Sequence, residues 1–272
     1  MLGLPEQIKA CLFDLDGVLT PTAAVHAAAW KEMFDAFLEQ RARYESVPFV
    51  PFSVHDDYPA YVDGRPRADG IRSFLASRRI GLPAGSPADP PTAQTVHGLG
   101  KRKNEIVTAR LRQGGIAAYP GSVRYLRALA DAGVGRAVVS SSANCAQVLT
   151  AAGIDGLLPV RIDAAVAARE RLAGKPAPDT YLAAARKLRA EPWQSAVFED
   201  ALAGVEAGRA GGFGFVVGVD RVGHADALLA HGANITVPDL AVLLEPGGQP
   251  GEHGRAGRAT ADDGNLSSGG PS

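Results

Sequence analysis

The chain has 272 residues, with 28 basic and 29 acidic side chains and a formal charge of −1. That balance leaves no net field to draw it to nucleic acid or an anionic membrane surface, and no apolar run approaches the length that crosses a bilayer. The length suits one large domain or two modest ones, and two cysteines, Cys11 and Cys145, lie in apolar stretches and read as reduced, packed thiols of a cytoplasmic protein.

The N-terminus has no basic segment followed by a long apolar one, so no signal peptide is expected. The first buried strand is expected in "IKACLFDLD", residues 8–16. It ends in two aspartates, Asp14 and Asp16, and then Gly17. A buried strand rarely ends in paired negative charge without a positive partner. Next, residues 23–41 predict a long helix, and 69–79 and 102–112 predict two more, with no strand among them. Residues 81–98, rich in Pro, Gly and Ala, predict a loop. This rhythm suggests a small helical domain, residues 23–112, inserted into a core of residues 1–22 and 113–244. Gly114–Gly115 and Pro120–Gly121 would be its flexible joints.

From residue 120 on, helices and strands alternate. A helix at 122–132 stops at Gly133, and a strand follows at 134–140. Then come a helix at 143–152, a strand at 157–162 and a helix at 178–190. A strand at 195–199, the helix of "ALAGVEAGRAG" and the strand of "FGFVVGV" complete the series. Alternation of this kind predicts a parallel sheet covered on both faces, a doubly wound α/β fold. Residues 245–272 have almost no large apolar side chain and are expected to be disordered.

In such sheets ligands bind beyond the carboxyl ends of the strands. Asp14 and Asp16 fall at one such end, Ser140, Ser142 and Asn144 at a second, and Glu199–Asp200 at a third; Lys175 sits in the loop before the helix at 178. Taken singly, each has an ordinary reading. Ser140 could cap a helix, Lys175 could be a surface lysine, and Glu199–Asp200 could favour the positive end of the helix at 201. Their convergence on one edge is the specific signal. Four acids and one lysine call for a hard divalent cation, and an open, oxygen-rich site suits Mg²⁺. Ser140, Asn144 and the amides opening the helix near 143 would cradle a phosphate. Asp14, directly at the strand end, could attack phosphorus; Asp16 is near enough to move a proton.

In the insert the signals are weaker. Arg67 is either a solvated loop arginine or an anion contact. If Gly98 and Gly100 delay the helix behind them, Lys101, Arg102 and Lys103 crowd its positive end, which a substrate phosphate would relieve. A solvated basic face is the alternative. His26 and Trp30 share one helix face, Trp30 as packing and His26 as a hinge or leaving-group contact.

"FDLDGVLT", "VVSSSAN", "GKPAPD" and "FEDALAGVEAGRAGG" resemble, in order, the four motifs of the haloacid dehalogenase-like superfamily of phosphoryl-transfer enzymes. The resemblance runs from about Ile8 to Val219. It implies a Rossmann-like core with a cap inserted after the first motif. Within the superfamily the chain resembles the β-phosphoglucomutases, through "DGVLT", "HAAAWK", "GRPRADG", "KRKN" and "YPGS". This implies Asp14 as phosphorylated nucleophile and Asp16 as general acid/base. Mg²⁺ would lie on Asp14, the Asp16 carbonyl, Glu199 and Asp200, with Ser140 and Lys175 balancing charge. His26, Gly64, Arg67, Lys103, Ser142 and Asn144 would contact the substrate. The implied reaction interconverts β-D-glucose 1-phosphate and D-glucose 6-phosphate through bound glucose 1,6-bisphosphate, in an enzyme expected to be a monomer. A phosphatase with the same core and a non-catalytic phosphosugar-binding protein are the alternatives. The chain departs from the pattern at Pro21, where many members are acidic, at Asp63, where a lysine is usual, and at Arg65, an added guanidinium.

Overall fold

The computed structural model describes residues 2–245. Six parallel strands form one sheet in the order β3-β2-β1-β4-β5-β6. They are β1 (Ala10–Phe13), β2 (Gly135–Val139), β3 (Val160–Ile162), β4 (Ser195–Glu199), β5 (Phe215–Val219) and β6 (Ile235–Val237). The chain order reverses at β1, which pairs with β2 on one side and β4 on the other. A crevice therefore opens at the carboxyl end of β1, where ligands bind in folds of this kind.

Side chains of β1 alternate between two buried layers. Cys11 and Phe13 join a layer with Tyr125, Leu126 and Leu129 of α4 (Pro120–Asp131) and Val148 and Leu149 of α5 (Cys145–Ala151). Leu12 faces the other way, onto Tyr181 and Ala184 of α7 (Asp179–Lys187) and Val205 of α8 (Leu202–Ala210). Both faces are covered, which explains why the strands are apolar throughout rather than alternating. Both thiols are buried, and burial pushes them up in pKa.

Between β1 and α4 lies a helical insert with a core of its own. It comprises α1 (Ala23–Glu45), one π-turn at Tyr58–Val62, α2 (Arg67–Ser77) and α3 (Val96–Gly114). On α1, Trp30, Phe34, Phe37 and Leu38 recur at helical spacing and are buried. Phe34 meets Phe74 at 4.3 Å and Phe52 at 5.1 Å between ring centroids. Each such ring removes enough apolar surface from water to contribute about 1.5–3 kcal/mol.

The structure corrects several expectations. Helix α3 begins at Val96, not near 102, so residues 96–98 are not loop. Thr95 caps it by accepting the Gly98 N–H, and a Cβ at Gly98 would strike the Ala93 carbonyl. Gly98 is thus a packing glycine inside the helix, and Lys101 to Lys103 lie beyond its first turn. Pro120–Gly121 is no joint: Pro120 opens α4, and Gly121 makes room for the Asp239 carboxylate. Helix α5 starts at Cys145 rather than 143. The strand β6 and the helices α6 (Ala164–Glu170) and α9 (Ala225–His231) are short and carried no strong pattern. The expected disorder of residues 245–272 lies, from 246 on, outside the described residues. No helix among the described residues is long and apolar enough to cross a membrane.

Candidate active site

The loop after β1 is built by its own hydrogen bonds. The Asp14 N–H donates to Phe198 O at 3.0 Å, which continues the ladder and holds Asp14 at the strand end. Gly17, at φ +92°, turns the chain back, and its N–H donates to Thr20 O at 2.7 Å. Thr22 then donates its hydroxyl to the Asp16 carboxylate. Two aspartates one residue apart thus point to different places, Asp14 into the core and Asp16 towards the start of α1.

Beneath Asp14 lies a buried ionic cluster. Lys175, 2% exposed, donates to Asp14 Oδ1 at 2.5 Å and to Val139 O at 3.0 Å. Its Nζ also lies 2.5 Å from Glu199 Oε1, which accepts the Tyr181 hydroxyl at 2.7 Å. One ammonium therefore serves two carboxylates in a water-excluded position. Burial works against the Lys175 charge, but Asp14 and Glu199 outweigh it and hold the ammonium above its usual pKa. The acids remain in excess. Burial raises the Asp14 carboxyl well above its ordinary range; Lys175 opposes this, while Glu199 and Asp16 add to it. Burial, then Asp63, Asp14, Glu199 and Asp16, do the same to Asp200.

That surplus of negative charge is what a divalent cation would neutralise. One oxygen each from Asp14, Glu199 and Asp200 can lie within 4.8 Å of one another. All three are hard donors of the kind Mg²⁺ takes. The space for Asp200 is deliberate in the sequence, since a Cβ at Gly17 would run into its carboxylate. The donor set fits the metal. The Asp16 side chain is not in this group, being turned to Thr22 and to His26, whose Nε2 lies 3.7 Å from Asp16 Oδ1.

At the end of β2, the Ser140 hydroxyl accepts the Ser142 N–H and the Ser142 hydroxyl accepts the Asn144 N–H, both at 3.1 Å. The Ser142 and Asn144 amides are thus engaged within the loop that leads into α5, which opens at Cys145. The side chains of Ser140, Ser142 and Asn144 line the cleft.

Facing these acids, the insert presents cations. Arg67 Nη1 donates to Gly100 O at 3.0 Å. Lys103 is buried, 2.9 Å from His26 Nδ1 and 4.8 Å above the Trp30 ring. Burial, then Arg67, lowers Lys103 to about 7, partly opposed by Asp16 and Asp63. Burial, then Lys103, lowers His26 to about 4, so the ring is neutral at pH 7. When Lys103 carries its proton its ammonium only donates, so Nδ1 then accepts and the ring proton sits on Nε2, facing Asp16. Insert and core meet across this cleft. Ser141 donates its hydroxyl to Gly64 O at 2.8 Å, and Asn144 Nδ2 lies 3.3 Å from Asn104 Oδ1.

Of the candidate catalytic, metal-binding and substrate-binding residues, all line this cleft except Lys175 and Glu199, which are buried beside Asp14. The cleft also contains Tyr58, Asp63 and Asn104. Sequence reading did not assign Tyr58 or Asn104, and it registered Asp63 only as a departure. Trp30, read as packing, both packs and lines the cleft. Tyr181, bonded to Glu199, was also missed. It sits mid-helix in an apolar context and carries no motif.

Residues 8–212 match the family described as a hydrolase, haloacid dehalogenase-like hydrolase. The chain is 54% identical over 247 residues to proteins named β-phosphoglucomutase from Mycobacterium bovis and Mycobacterium tuberculosis, covering 90% of this chain and 94% of theirs. Its fold is similar to the crystal structure of a β-phosphoglucomutase from Clostridium difficile, with a TM-score of 0.66, 22% identity, and coverage of 86% of this chain and 92% of that one. With a parallel core, an insert after its first strand and four acids at the strand ends, this chain belongs to the haloacid dehalogenase-like hydrolase family of enzymes.

Proposed function

We propose that the chain is a Mg²⁺-dependent β-phosphoglucomutase that interconverts β-D-glucose 1-phosphate and D-glucose 6-phosphate. The observation that carries this reading is the polarity of one cleft. Asp14 and its ionic cluster lie on the core side, and Arg67 and Lys103 lie on the insert side. A mutase needs both ends, because the phosphate that is not reacting must be held while the other is transferred. The 54% identity to proteins named β-phosphoglucomutase supports it. In this reading residues 1–22 and 113–244 form the catalytic core, and 23–112 form the cap.

Asp14 Oδ1 is engaged by Lys175, so Oδ2 is the attacking atom. In the phosphorylated enzyme, the 6-hydroxyl of β-glucose 1-phosphate attacks the phosphorus on Asp14. Asp16 takes the hydroxyl proton, the bond from Asp14 to phosphorus breaks, and glucose 1,6-bisphosphate forms. After the sugar turns end for end, Asp14 attacks the 1-phosphoryl group. Asp16 then returns the proton to the departing O1, giving glucose 6-phosphate. The His26 Nε2 faces Asp16 at 3.7 Å without a hydrogen-bond partner of its own, and is free to donate to a substrate or leaving-group oxygen there. Arg67 and Lys103 hold the idle phosphate, and Ser140 and Lys175 balance charge at the reacting one. Asp14, Glu199, Asp200 and the Asp16 carbonyl would hold Mg²⁺, which when bound supplies electrostatic neutralisation at the phosphoryl oxygens. Closure of the cap on the core, where Ser141 meets Gly64, would keep water from the acyl phosphate.

Incubation with Mg²⁺, β-glucose 1-phosphate and a trace of glucose 1,6-bisphosphate tests this directly. Glucose 6-phosphate should appear without inorganic phosphate. Release of phosphate in step with substrate loss would instead identify a phosphatase.

A further inference from the structure

Asp63 stands at the seam of the cleft. It follows the π-turn at Tyr58–Val62, and its N–H donates to Tyr58 O at 3.0 Å. The next residue, Gly64, has φ +68° and gives its carbonyl to the Ser141 hydroxyl of the core. Asp63 therefore lies within reach of both the acids of the core and the Lys103 ammonium of the cap, and it lines the cleft together with Tyr58. The acids Glu199, Asp16 and Asp200 bear on it from one side and the Lys103 ammonium from the other. Burial raises it to about 6, while the adjacent Tyr58 hydroxyl and the Gly64 N–H work the other way.

A carboxylate placed there accepts hydrogen bonds and repels anions. A phosphate oxygen would meet repulsion at this point, whereas a sugar hydroxyl would donate. A substrate with one phosphoryl group at Asp14 and its other end at Arg67 and Lys103 must lay its ring along this seam.

We propose that Asp63 is a specificity residue that accepts a hydrogen bond from one ring hydroxyl of the substrate, restricting the cleft to phosphorylated sugars with an uncharged, hydroxylated ring. This rests on the reading of the cleft as a sugar-phosphate site.

The test pairs protein and substrate changes. Wild type and Asp63→Ala are assayed for kcat/KM with β-glucose 1-phosphate and its 2-, 3- and 4-deoxy analogues. Loss of a charge-assisted hydrogen bond is worth about 10- to 100-fold. In wild type one analogue should fall by that factor. In Asp63→Ala the same analogue should lose less than about threefold relative to the parent sugar, with the other two unaffected by the variant's presence. Asp63→Asn, which keeps shape and loses charge, should show the same coupling reduced in size, and it carries the comparison if the alanine variant folds poorly. A purely structural role for Asp63 would lower all four substrates equally, and that result overturns the proposal. Wild-type enzyme that turns over β-glucose 1-phosphate but shows no coupled analogue overturns the role of Asp63 alone. Wild-type enzyme that neither takes a phosphoryl group from acetyl phosphate nor turns over any of these sugars overturns the reading of the site, and the inference with it.

Discussion

Replacing Lys175 by Met tests the buried cluster most directly. Methionine has similar length and no charge, so packing is nearly kept. What is lost is the one ammonium within 2.5 Å of both Asp14 and Glu199 and the donor to Val139 O. Removing one partner of a buried pair costs about 3–5 kcal/mol, because the other charge stays buried without compensation. For a chain of this size that corresponds to a fall in Tm of about 10 °C. The loss should depend on pH with a definite sign. Burial already raises the Asp14 carboxyl, with Lys175 as the main opposing influence. Without Lys175 the native carboxyl binds its proton more tightly still, while the unfolded one does not. Stability then falls as pH climbs from the unfolded pKa to the native one, and the full deficit is present above both. Urea unfolding of wild type and variant in EDTA, followed by far-UV circular dichroism at pH 8 and pH 5, measures this. The deficit should be largest at pH 8 and shrink at pH 5. A deficit below about 1 kcal/mol at pH 8, or one equal at both pH values, would refute the argument.

Asp14→Asn should cut turnover by more than about 10³-fold while leaving the circular dichroism spectrum unchanged; retention of a tenth of the activity would show that another group attacks phosphorus. Arg67→Ala should raise the share of free phosphate among the products, since a weakly held idle phosphate leaves the acyl phosphate open to water; an unchanged ratio of isomer to phosphate counts against its role. Lys103, held at about 7 by burial and Arg67, loses its charge as pH rises through that value. KM for the phosphosugar should therefore climb above pH 7 in wild type and stay flat in Lys103→Arg, whose guanidinium remains charged. Gly17→Ala, at φ +92° and against the Asp200 carboxylate, should raise the Mg²⁺ concentration needed for half-maximal activity several-fold, read by titration with the metal.

How much of this was legible depends on where each residue sits. Asp14, Glu199 and Ser140 directly follow or end buried β-strands, and a polar residue after an apolar run is visible without a structure. Lys175 was legible only through motif order, since nothing local distinguishes it from a surface lysine. Its 161-residue separation from Asp14 is closed by the sheet alone. The cap resisted reading for a different reason. Tyr58 opens a π-turn and Asp63 directly follows it, after a stretch without periodicity, and Asn104 lies on a helix that begins six residues before the expected start. Gly98 looked like a helix breaker, yet its missing Cβ serves a tight approach to the Ala93 carbonyl. Glycine marks either a turn or a close contact, and only neighbours distant in the chain decide between them.

Helix α1 has a further consequence. It leaves the Asp16 loop at Ala23 and runs for 23 residues, so it is about 35 Å long at 1.5 Å per residue. A tilt of about 10° at its root would carry the far end about 6 Å but shift His26, one turn up, by only about 1 Å. In its geometry the helix is a lever with its short arm at the cleft. A distance label at its outer end would therefore magnify a rotation at the Asp16 loop too small to read at His26 itself.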